Sequence, residues 1–188
     1  MANVQDVAKF FIDLAQKKAQ QENGDLITNL RLQKLLYFAQ GWYLARYGKP
    51  LFNAPILAWT FGPVVKEVYD RYSINRRNGI SSDARMNPDA LTEDELELLL
   101  DVARNYDGCS TSTLVDLSHA ADGPWASVPR SGEIPIATIK DYFSKQPPLP
   151  CFKDQLTLDD VFIPSRDEAG NAVLPADFDD DWGDYDDY

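Results

Sequence analysis

The sequence has little sulfur and little imidazole: two cysteines and one histidine in 188 residues. Cys109 and Cys151 are too few for a disulfide framework, and with His119 they make a poor metal set. No metal and no cofactor is therefore expected. Long apolar runs are also missing, and nothing approaches the roughly 20 residues of a membrane-spanning helix. The first nine residues lack the basic-then-apolar order of a secretory leader. A soluble chain in a reducing, cytoplasmic compartment, with no membrane partner, is the expectation. Positive charge is scarce, with 18 Lys/Arg against 30 Asp/Glu for a net of −12. That balance argues against general nucleic-acid binding, so no DNA binding is expected of the isolated protein.

Assembled catalytic motifs are absent as well. A phosphate-binding loop needs a glycine, four residues, then Gly-Lys-Ser/Thr. Here Gly48-Lys49 runs into Pro50, and Tyr43 stands where the first glycine belongs. Asp116, Ser118 and His119 have the composition of a hydrolase triad. On a helix, however, neighbours point about 100° apart and only the Asp116–His119 spacing brings two side chains together. Glu93, Asp94, Glu95 and Glu97 are dense in carboxylate but open a helix, where negative charge suits the dipole. The chain reads as a non-enzyme.

What is present is core material: 44% hydrophobic and 12% aromatic residues, enough for one globular domain. Residues 3–21 carry Val4, Val7, Ala8, Phe11, Leu14 and Ala15 at helical spacing, closed by Gly24. Thr28 caps a second helix to Tyr47, apolar on most of its circumference, and Gly48 with Pro50 stops it. Residues 55–62 are short and β-rich, and read as a strand or extended segment. Pro63 suits the first turn of a helix over 64–72 with Val64, Val68 and Tyr69 inward. A long loop over 73–90 contains Arg76 and Arg77. Thr92 and Glu95 form a capping box for the next helix, Ser110 or Thr111 caps a shorter one, and Pro135 opens the last, over 136–143. Residues 156–163 are at most one short element. The expected fold is mainly α: a single compact helical domain of about six helices with one or two short strands, plus an extended acidic tail.

Charge divides the chain unevenly. Residues 1–85 hold 12 Lys/Arg against 7 Asp/Glu, and residues 86–188 hold 6 against 23. The extreme is 177–188, DFDDDWGDYDDY, where seven aspartates alternate with Phe178, Trp182, Tyr185 and Tyr188. Three readings stand for this tail: a solubilising terminus, a partner-binding strip, or a segment that folds back on the basic half.

Residues 27–69, ITNLRLQKLLYFAQGWYLARYGKPLFNAPILAWTFGPVVKEVY, closely resemble the Panacea domain of SocA-like and GepA-like antitoxins. A second block, LSHAADGPW (117–125), is similar to the family's downstream leucine, histidine and proline–tryptophan signature. The region 136–143 is similar to its final helix. The resemblance implies a Panacea domain over 1–145, followed by a proline-containing extension over 146–188 that has no counterpart and ends in the acidic tail. Ser118 replaces the threonine often found before the histidine, which keeps the hydroxyl. The family implies a bacterial or phage-encoded antitoxin that neutralises a protein toxin by direct contact, or presents it to a ClpXP-type protease in one branch. An enzyme that reverses the toxin's product, and an autorepressor using Arg76, Arg77 and Arg85, are the alternatives from other classes. The matched positions Leu32, Leu35, Leu36, Phe38, Trp42, Leu44 and Trp59 are expected in the core. Gly62 and Pro63 are expected to join strand to helix. His119 is expected against Trp125, bonded to a backbone carbonyl or to Asp116, with toxin contact as the other reading. Lys34 and Tyr37 are expected on an exposed, toxin-binding patch, their polar ends in solvent. Phe178, Asp179, Asp180, Asp181, Trp182 and Tyr185 are expected to occlude a basic toxin active site that acts on nucleotides or RNA.

Overall fold

The computed structural model describes residues 1–22, 25–81 and 87–151, together with the backbone of 165–166 and 172–173. The chain forms two compact units, Met1–Phe152 and Lys153–Tyr188. Among the described residues the first contains six α-helices: α1 (Val4–Glu22), α2 (Asn29–Tyr47), α3 (Lys66–Tyr72), α4 (Glu93–Asn105), α5 (Thr111–Ser118) and α6 (Ile136–Ser144). It also holds an antiparallel hairpin of β1 (Ile56–Trp59) and β2 (Gly62–Val65). The second unit holds a two-residue pairing of β3 (Ser165–Arg166) with β4 (Ala172–Val173). The fold is mainly helical, as the periodicity predicts. The acidic tail, the stop at Gly24 and the element weighed over 156–163 lie outside the described residues. No described helix is long and apolar enough to cross a membrane.

α2 is the centre of the first unit. It packs against all five other helices and against β2. Its start is fixed by the Thr28 hydroxyl, which accepts from the Arg31 N–H at 3.3 Å. Its end is fixed by Gly48, in the left-handed region at φ 72°, whose N–H closes on Leu44 O at 3.0 Å. Gly41, inside the helix, lets α6 approach closely. A Cβ there would stand 2.3 Å from the Phe143 ring. Phe143 in turn meets Tyr37 and Trp42 edge-on at centroid distances of 5.5 and 5.1 Å.

A central helix buries polar residues too, and each needs a partner. Gln40 accepts from the N–H groups of Leu51 and Phe52 and donates to Phe52 O. Asn29 donates to Tyr69 O, and Gln33 donates to Asn29. Arg46 reaches the fully buried Asp101 of α4 at 2.7 Å.

The hairpin corrects one expectation. Pro63 does not open a helix: residues 62–65 are strand β2, and α3 starts at Lys66. The reason is the register. Ala58, opposite Pro63, sends its N–H to Gly132 O at 2.9 Å and takes the Ser131 N–H at 2.7 Å. Ala58 and Pro63 are thus a non-hydrogen-bonded pair, and the missing proline N–H costs the ladder nothing. With the helix starting later, Val64 and Val68 are buried, but Tyr69 is 36% exposed rather than inward. Gly62 sits opposite Trp59 across the two-residue turn at 60–61, with φ at 98°.

Candidate partner-binding site

Three separated segments meet beneath the hairpin tip. α2 brings Lys34, the hairpin brings Gly62 and Pro63, and the end of α5 brings Ser118 and His119. Lys34 is completely buried, and its Nζ donates to Pro63 O at 3.0 Å. Beside it, the Gln33 side-chain oxygen accepts from the Val65 N–H at 2.9 Å. Two consecutive α2 side chains therefore satisfy the outward-facing backbone groups of β2. Gly62 lies directly on this junction: a Cβ there would be 2.6 Å from both Lys34 Nζ and Ser118 Oγ. Only glycine fits, for this approach and for its positive φ.

The other side of the tip is aromatic. Trp125 Nε1 donates to Trp59 O at 2.8 Å. His119 lies against the Trp125 ring at 3.9 Å between centroids, and Trp59 meets Tyr69 at 5.0 Å. His119 thus packs on Trp125, but its Nε2 is buried with no hydrogen-bond partner among the described residues. The carbonyl or Asp116 bond expected from the sequence is not made at that nitrogen. Ser118 Oγ donates to Val115 O at 2.7 Å, back into its own helix. The triad suggested by Asp116, Ser118 and His119 is not assembled.

Burial sets the electrostatics. Desolvation lowers the Lys34 pKa from 10.5 to about 7. The His119 pKa is lowered from its ordinary value by burial first and by the Lys34 charge second, while Asp116 works the other way. Burial raises the Tyr37 phenol, with the neighbouring Tyr142 and Tyr106 adding to the shift.

The exposed patch expected of Lys34 and Tyr37 is corrected here. Lys34 is 0% and Tyr37 2% exposed. Lys34 turns inward because a backbone carbonyl awaits it, and Tyr37 because α6 delivers Phe143 onto it. Leu32 and Leu35 are buried, and Trp42 and Trp59 are half-buried. Two other features lie away from the hairpin. A cleft of about 770 Å³ opens between α1 and α4, lined by Phe11, Leu14, Leu35 and Leu100. Glu97, Asp101 and Cys151 place donor atoms within 4.8 Å of one another, yet Asp101 pairs with Arg46 and Cys151 Sγ lies 3.3 Å from Glu97. The tail residues Phe178, Asp179, Asp180, Asp181, Trp182 and Tyr185 lie outside the described residues.

All the residues that converge under the tip fall within one family model, "Antitoxin SocA-like, Panacea domain", which matches residues 32–126. The chain belongs to this SocA-like Panacea family. The Panacea region runs from α2 through Trp125 and so contains both halves of the junction. Among curated proteins, "Antitoxin SocA" of Caulobacter vibrioides (strain NA1000 / CB15N) is 39% identical over 112 residues, 53% of this chain. The chain spans 58% of that relative's length, under two thirds. No solved structure matches the chain significantly. The matched range includes both Lys34 and His119. The sequence alone does not mark Gln33 as a partner of β2, nor Phe61, 68% exposed just before Gly62, as the residue at the hairpin tip.

Proposed function

We propose that this protein is an antitoxin that neutralises a cognate protein toxin by direct, non-catalytic binding in the cytoplasm. The observation that carries the reading is the Panacea family match across the junction of α2, the hairpin and α5. A curated relative, 39% identical over 112 residues, is named as an antitoxin. In this reading residues 1–145 are the docking domain. The appended 146–188 segment selects the toxin and covers its site, with Asp179–Asp181 and Trp182 imitating phosphates beside a base in a basic, nucleotide- or RNA-directed active site. Steering by the seven aspartates of 177–188 would speed association and weaken with added salt.

The test is co-expression with the product of the adjacent reading frame, scored by growth. A blocking antitoxin rescues only near one copy per toxin, and rescue at far lower amounts refutes blocking in favour of an enzyme. Rescue that requires a ClpXP-type protease, with the toxin's half-life shortened by the antitoxin, refutes blocking in favour of delivery. Removing residues 177–188 should weaken rescue. Full rescue by the truncated chain refutes the tail's role and leaves the antitoxin reading intact.

A further inference from the structure

Residues 55–65 contain no Asp, Glu, Lys or Arg. At the tip of this uncharged hairpin, Phe61 is 68% exposed. Phe61 is thus held in solvent over a base that is tied down on several sides: Lys34 to Pro63 O, Gln33 to the Val65 N–H, and Trp125 to Trp59 O.

We propose that Phe61 is the anchor by which this protein captures its toxin, entering an uncharged apolar pocket on the toxin's surface, and that Lys34 is the positioning residue that holds the anchor from below. The inference rests on the antitoxin reading and assigns it a contact surface. Charge selects the occupant. Nucleic-acid surfaces are held through Lys and Arg contacts to phosphate, and membrane surfaces favour basic residues around an apolar insert. The hairpin offers neither. A lone aromatic ring on an uncharged tip matches an uncharged pocket in a folded protein, where buried aromatics are the common anchors. Rigidity favours the same role, because a tip fixed before binding loses little freedom on docking. Lys34 touches nothing outside the protein, so its contribution is to the tip's placement.

The experiment measures affinity for the purified product of the adjacent reading frame, together with thermal unfolding of each variant. Phe61→Ser should weaken binding by about tenfold to a hundredfold, the worth of burying a large apolar side chain, with an unchanged melting temperature. Lys34→Met, which keeps the length of the stem and removes the donor, should weaken binding while the protein remains folded. Ile74→Ser serves as the control, since Ile74 is 86% exposed in a separate turn. It should bind like the wild type. Wild-type binding that survives Phe61→Ser within about threefold, a change no larger than measurement scatter in such series, overturns the anchor. Unchanged affinity in a folded Lys34→Met protein overturns the positioning role. A wild-type chain that binds nothing overturns the antitoxin reading itself, and this inference with it.

Discussion

Lys34 makes the stability of the Met1–Phe152 unit depend on pH in a range where ordinary domains change little. In the unfolded chain its amine titrates near 10.5, whereas in the folded protein burial lowers it to about 7. Between those values the unfolded chain holds a proton that the folded chain has given up. Stability therefore rises with pH across this window and is flat on either side of it. One proton contributes about 1.4 kcal/mol per pH unit. Near pH 7 the folded amine is half neutral, so the gain from pH 7 to pH 9 is about 2 kcal/mol. For a domain of this size that corresponds to a rise of roughly 5 °C in melting temperature. Lys34→Met removes the titrating group. It leaves Pro63 O without its donor, which costs about 1 kcal/mol at every pH and adds no slope. Calorimetric or urea unfolding of both proteins at pH 7, 8 and 9 is the assay. The difference between the two curves isolates Lys34 from the other titrating groups. A wild-type profile parallel to that of Lys34→Met would refute the reasoning, because the amine would then be charged in both states.

Two further substitutions test the same architecture. Gly62→Ala places a methyl group 2.6 Å from Lys34 Nζ and Ser118 Oγ at a φ of 98°. It should lower unfolding free energy by about 2 kcal/mol or more, read from the urea midpoint. Arg46→Ala removes one charged partner of Asp101, a carboxylate with 0% exposure. The loss should be about 3 kcal/mol at pH 7, and it should shrink when Asp101→Asn is added, which a double-mutant cycle measures.

Local chemistry was legible in the sequence wherever the partner is a few residues away. Thr28, Gly48, the Thr92–Glu95 box and Ser110 all cap the helices they announce. Pro63 was misread because the same fixed φ and missing N–H suit a helix start and a strand position that makes no ladder bond. Only the distant segment at 131–134, bonded to β1, decides between them. Lys34 was misread for a similar reason. A long cationic side chain on a helix normally reaches water, and its acceptor here lies 29 residues away. The composition of α2 showed that it sits centrally in the fold. It did not show that polar residues within it would hold backbone groups of a hairpin.

The role of Gln33 and Lys34 as hydrogen-bond partners of β2 has a consequence for how anything can approach the hairpin. A two-stranded sheet ordinarily leaves two rows of backbone groups open to strand addition. Here one row is taken by residues 131–134 and the other by the α2 side chains. Intermolecular strand pairing is blocked on both flanks, which protects the hairpin from sheet-to-sheet aggregation. It also means that a partner gains no affinity by adding a strand of its own. Any partner that docks on this hairpin therefore meets side chains rather than an open backbone edge.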